Sequence, residues 1–125
     1  MNLVQGAYKS FSDGDIPAVL AIMNDAIEWH EPKGFIYNGT FCGQEDILNN
    51  VFLKLGTEWT NWQATPEEFI EGGETNVVLG HYSGTFNETG KNALAPFAHI
   101  WKIKNGKVIK FRTYMDTVMI QRTTG

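Results

Sequence analysis

Apolar and polar positions divide the chain into a helical first part and a strand-rich second part. Leu3/Val4, Ala7/Tyr8 and Phe11 recur at helical spacing, and Gly14 suits the left-handed position that ends such a helix. Asp15-Ile16-Pro17 opens another: Asp15 can cap free amides, Pro17 is harmless in a first turn, and Val19, Leu20 and Met23 supply the apolar stripe. Residues 26–30 are strand-like until Pro32 and Gly34 break the pattern. Residues 44–55 are predicted helical again, with Ile47, Leu48, Val51, Phe52 and Leu55 on one face that covers a sheet.

After Gly56 the pattern predicts four β segments, approximately 60–71, 75–87, 93–104 and 107–120. They are separated by Gly72-Gly73, Thr89-Gly90 and Asn105-Gly106, which are hairpin turn signals between long neighbours. Helices first and strands afterwards define an α+β class, with helices on one face of a curved, mostly antiparallel sheet. The length, 125 residues, fits one domain spanning 1–125.

The most informative stretch is the last hairpin. Phe97, His99, Trp101 and Ile103 share one face by alternation, while Lys102 and Lys104 share the other, so His99 is expected to point into the core. The second strand brings Arg112, Tyr114 and Asp116 near the chain's end. A carboxylate in an apolar cavity becomes a stronger base than a surface one, because burial disfavours its charged form. Asp116 is therefore the expected base, His99 its orienting or charge-stabilising partner, and Tyr114 a phenolic donor. Strict alternation puts Phe111 and Asp116 on opposite faces, so this arrangement requires a β-bulge near Arg112-Thr113. Glu31 is the next candidate for the base.

Trp29, His30 and Glu31 end the early strand, and Phe35, Tyr37 and Phe41 follow in a loop. They form either a pocket lid or a hydrophobic plug. Aromatic content of 13% is high enough to line a cavity as well as fill a core. The formal charge of −4, with no Lys/Arg run outside the last hairpin, argues against nucleic acid and anionic membrane as partners. Cys42 is the single cysteine, which excludes an internal disulfide and a multi-cysteine metal site and fits a reducing cytoplasm. Met1-Asn2-Leu3-Val4-Gln5 lacks the basic and apolar regions of an export signal, and no long apolar run exists. The three histidines are too far apart for a compact ligand motif, so neither metal nor cofactor is expected.

The chain resembles the SnoaL-like branch of the nuclear-transport-factor-two-like superfamily, which also includes the ketosteroid isomerases. The resemblance rests on Tyr8-Lys9-Ser10-Phe11 followed by Gly14-Asp15, on Ile27-Glu28-Trp29-His30, and on Gly39, Phe41 and Gly43. It continues through Phe69-Ile70-Glu71-Gly72-Gly73, Val77-Val78-Leu79-Gly80 and the terminal hairpin. It implies a cone whose curved sheet wraps a long helix and leaves a pocket at one end. SnoaL-like polyketide cyclases pair a histidine on the penultimate strand with an aspartate base on the last, and His99 and Asp116 occupy the corresponding places. Ketosteroid isomerases carry their base just before a Pro-x-Gly turn, and Glu31-Pro32-Lys33-Gly34 has that form with Glu replacing Asp. Their first-helix tyrosine corresponds approximately to Tyr8.

The resulting expectation is acid–base chemistry next to a carbonyl (isomerase, cyclase or dehydratase type) on a small apolar oxygenated ligand. Tyr8, Trp29, Glu31, Tyr37, Phe41, Phe97 and Trp101 would contact that ligand. The competing expectation is a non-catalytic ligand-binding or dimerisation domain. A homodimer is expected because helices cover only one face of the sheet, and the resemblance implies sheet-to-sheet pairing.

Overall fold

A computed structural model describes residues 2–125, with side chains from residue 3 onward. Helices α1 (Asn2–Ser12) and α2 (Ile16–Ala21) form a helical corner. Asp15 caps α2 by accepting from the Ala18 amide, while Pro17 sits in its first turn. Met23, expected to extend the stripe of α2, instead begins strand β1 (Met23–Glu31). A short strand, β2 (Gly39–Cys42), pairs with β1 across the aromatic loop. Four residues in a polar, glycine-flanked setting carry little periodicity, and the sequence did not announce them.

The third helical stretch runs as α3 (Gln44–Ile47), a π-helical turn (Leu48–Phe52) and α4 (Leu53–Glu58). Ile47, Val51, Phe52 and Leu55 are buried as the apolar stripe requires. Strands β3 (Trp59–Gly72), β4 (Thr75–Phe86), β5 (Asn92–Lys104) and β6 (Lys107–Met115) then form successive antiparallel hairpins. The last of these turns on Asn105 and Gly106, both with positive φ (53° and 74°), the backbone that an Asn-Gly pair accommodates at least cost.

The sheet order is β2-β1-β6-β5-β4-β3, with β1 and β6 parallel and every other pairing antiparallel. The result is an α+β fold with a curved, unclosed, mostly antiparallel six-stranded sheet. Its concave face holds the core, and α1 reaches across it, so that Tyr8 meets Phe69, His99 and Trp101.

The end of β6 corrects two expectations. The strand stops at Met115 rather than continuing to residue 120, because Asp116 caps a final helix, α5 (Thr117–Thr124), by accepting from the Met119 amide. The irregularity between β5 and β6 lies between Lys102 and Ile103, not near Arg112-Thr113. From Lys110 to Met115 the register is regular, so Phe111 and Thr113 point inward and Arg112 and Tyr114 outward.

Candidate functional site

The concave face carries one cluster of polar side chains within an aromatic core. His99 is 3% exposed, and its ring lies 3.7 Å from that of Phe97, nearly parallel. Gly80 makes this packing possible: a Cβ there would lie 2.7 Å from the Phe97 ring and closer still to the Thr65 carbonyl. Both imidazole nitrogens have phenolic partners. Tyr8 Oη lies 2.5 Å from Nδ1, and Tyr82 Oη lies 2.5 Å from Nε2. Trp101 Nε1 donates to Tyr8 Oη at 3.0 Å, and Tyr82 Oη is 3.0 Å from Thr113 Oγ1.

Burial decides the charges in this cluster. It lowers the His99 pKa well below its ordinary value, so the imidazole is neutral. It raises both tyrosines, slightly offset at Tyr8 by the Trp101 N–H and reinforced at Tyr82 by the charge of Glu31. Tyr8, Tyr82, His99 and Trp101 line a small cavity of about 50 Å³, closed on other sides by Trp62 and Phe111. A wider recess of about 210 Å³ adjoins it, sharing Phe11, Leu55 and Trp62 and opening past Phe52 and Trp59.

Glu31 sits at the end of β1, 9% exposed, and accepts from Trp29 Nε1 at 2.6 Å. Burial pushes its carboxyl up to about pKa 8, with the indole hydrogen bond pulling the other way. It does not line the cavity itself. Trp29, which donates to Glu31, stacks at 3.8 Å on Phe111, a residue of the cavity wall.

Several sequence expectations need correction. Asp116 is exposed and occupied in capping α5, and Tyr114 is half exposed on the outer sheet face, so neither joins His99. Thr113 occupies the inward position across from His99 instead. Among the expected ligand contacts, Tyr8 and Trp101 line the cavity, whereas Trp29, Glu31, Tyr37, Phe41 and Phe97 do not. Trp29 is a buried plug, 6% exposed, and Phe97 supports the imidazole from behind. Tyr37 donates to Glu58 and ties the loop to α4; Phe41 is half-buried on β2. The residues sequence reasoning missed are Tyr82, Trp62 and Thr113. Tyr82 shares the buried face of β4 with Val78, and nothing local distinguishes it from an ordinary core tyrosine. Among the described residues no three His, Cys, Asp or Glu side chains converge as a metal ion would require. Nor is any described helix long and apolar enough to cross a membrane.

This cone, with a polar cluster on its concave face, has known counterparts. The model of the SnoaL-like domain matches residues 4–111, and the chain belongs to that family. A nuclear-transport-factor-two-like protein from Burkholderia thailandensis is 32% identical over 99% of this chain and 95% of its own, with a TM-score of 0.96. TerC, co-crystallised with polyporic acid, is 29% identical over 98% of this chain and 95% of its own, with a TM-score of 0.88. A protein from Catenulispora acidiphila with a ketosteroid isomerase-like fold, in complex with trimethylamine, is 12% identical over 98% and 92%, with a TM-score of 0.83, a likeness of fold alone. No protein with a curated description matches the chain.

Proposed function

We propose that this SnoaL-like protein binds a small apolar organic molecule through one buried oxygen and moves a proton on the carbon next to its carbonyl. The observation that carries the reading is the neutral His99 held between two tyrosines on the wall of an otherwise apolar cavity. Phenols and a neutral imidazole stabilise charge as it develops on an oxygen without demanding a charge in the ground state. No lysine or arginine lines that cavity, which favours a ligand uncharged at its buried end. The relative crystallised with polyporic acid supports an organic small molecule as the ligand.

Glu31 is the base in this reading. A carboxyl whose pKa is pushed up to about 8 is close to matched with the proton it must take near neutral pH. The Trp29 indole, which donates to that carboxyl and stacks on Phe111, links it to the cavity wall. Asp116 is too exposed, and too engaged with α5, to serve. Isomerisation, cyclisation and dehydration share this first proton transfer. A cytoplasmic setting is consistent with the single exposed Cys42. A homodimer is proposed as well, because Ile70, Leu94 and Tyr114 remain exposed on the convex sheet face.

The test is deuterium exchange next to the carbonyl of cyclohex-2-enone in heavy water, followed by NMR. Acceleration over buffer, lost in Glu31→Gln, is the expected result. A second reading, a non-catalytic binding module, is favoured by the absence of a carboxylate from the cavity wall itself. Saturable binding of the enone without any exchange would establish that reading instead.

A further inference from the structure

Trp59 and Trp62 are both buried in the core, although residues three apart on a regular strand point to opposite faces. A bulge in β3 makes this possible. Between the pairs Thr60↔Thr85 and Gln63↔Ser83, Asn61 and Trp62 stand opposite Gly84 alone, and Asn61 takes a left-handed backbone with a φ of 56°. Gly84 supplies the room: a Cβ there would lie 3.1 Å from Trp62 Cα and 3.3 and 3.5 Å from the rings of Trp62 and Trp59. The two indoles, 4.7 Å apart and at 62° to one another, thereby form one wall of the recess of about 210 Å³ that adjoins the inner cavity. No charged side chain lines that recess.

Gly56, on α4, lines the same recess. Glycine weakens a helix more than any residue except proline, so its place inside one calls for a reason. Its backbone is ordinary helix, and a Cβ would meet no atom within 4 Å. Neither conformation nor close packing requires glycine here, whereas a larger side chain would stand at the edge of the recess. The inner cavity, of about 50 Å³, has room for only a few atoms beside the polar cluster. It shares Phe11, Leu55 and Trp62 with the recess, so a molecule whose oxygen reaches Tyr8 or Tyr82 leaves its body there. We propose that the recess is the second half of the ligand site: it takes a flat, uncharged aromatic ring against Trp59 and Trp62, and Gly56 sets how large that end of the ligand can be. The ligand class is a two-ring molecule, with an oxygenated ring inside and an aromatic ring outside. The placing of its oxygen beside His99 rests on the proposed function; the ring site does not.

Calorimetric titration of the full chain with cyclohex-2-enone and with 4-phenylcyclohex-2-enone tests the proposal. The phenyl-bearing ligand is expected to bind about tenfold more tightly, a fraction of what burying a whole aromatic ring supplies. Gly56→Leu places a good helix former at an exposed position, and is expected to cut that ratio to about one. In the wild type, NMR of the heavy-nitrogen-labelled indole N–H groups, assigned against Trp59→Phe and Trp62→Phe, should show the Trp59 and Trp62 signals moving as the phenyl-bearing ligand is added.

Equal affinity for the two enones in the wild type overturns the proposal, as does a tenfold ratio that survives in folded Gly56→Leu. Should that variant not fold, the wild-type spectra decide, and Trp59 and Trp62 signals that stay in place at saturation overturn it. Deuterium exchange into both enones at equal affinity would leave the proposed activity standing and remove the ring site. A tenfold ratio without exchange would keep the ring site on a binding module. If neither enone binds, toluene replaces them as the probe: movement of the Trp59 and Trp62 signals in wild type but not in Gly56→Leu supports the ring site by itself, and no movement removes it.

Discussion

The inward and outward faces of β5 and β6 are built from alternate residues of the same two strands, yet their chemistry is opposite. Inward, His99, Trp101 and Thr113 have partners for their polar atoms and carry no charge. Outward, Lys102, Lys110, Arg112 and Tyr114 line an open groove, where Lys110 pairs with Glu28 at 3.5 Å. Solvent screens that ion pair, so it fixes little. Inside, removing one partner strands another in a dry core. Fragility, and the function proposed for this face, therefore sit one residue away from positions that tolerate exchange.

The sharpest way to break this contrast is activity. Glu31→Gln should lower the rate of deuterium exchange by about 10²–10⁴-fold, the contribution usual for a general base, whereas Asp116→Asn should leave it close to wild type. A large loss with Asp116→Asn and none with Glu31→Gln would move the chemistry to the surface.

Stability should show the next largest difference. His99→Ala leaves two buried phenols short of a partner and a void beside Phe97, and should cost roughly 2–4 kcal/mol in urea unfolding. Lys102→Ala, on the opposite face of the same strand, should stay within about 0.5 kcal/mol. Similar losses at both positions would contradict the burial on which the site rests.

The dependence of stability on pH sharpens the comparison further. Glu31 ionises near pH 4.5 when unfolded and at about 8 when folded, so its contribution is complete below 4.5 and disappears as pH rises to 8. His99 titrates near 6.5 when unfolded and well below that when folded, so its contribution is complete above 6.5 and is lost as pH falls. Between 4.5 and 6.5 the two slopes oppose each other. From 6.5 to 8 the fall due to Glu31 stands alone, at roughly 1.4 kcal/mol per pH unit, and Glu31→Gln should abolish it in urea titrations across that range.

The smallest effect concerns the outer face alone. Light scattering should return about twice the 14.1 kDa chain mass, and Tyr114→Asp should shift that toward the monomer without altering enone binding. A concentration-independent monomer would mean that the groove of lysines and Arg112 is solvated in its own right.

Local patterns in the sequence determined most of the fold. Period-two alternation placed His99 and Trp101 inward, Asn105-Gly106 placed the last turn, and Asp15 with Pro17 placed the start of α2, because each depends on residues within a few positions of one another. The family resemblance likewise followed from the order of such pieces. What only the tertiary structure decided is the company His99 keeps. Tyr8, Tyr82 and Thr113 come from a helix and two strands, separated from it by 91, 17 and 14 positions, and no local pattern encodes their meeting. Asp116 shows the reverse case. The sequence placed it at the end of a strand, but whether β6 continued through it or stopped there was settled by the turn of α5, whose free amides gave that carboxylate a nearer partner than the cavity.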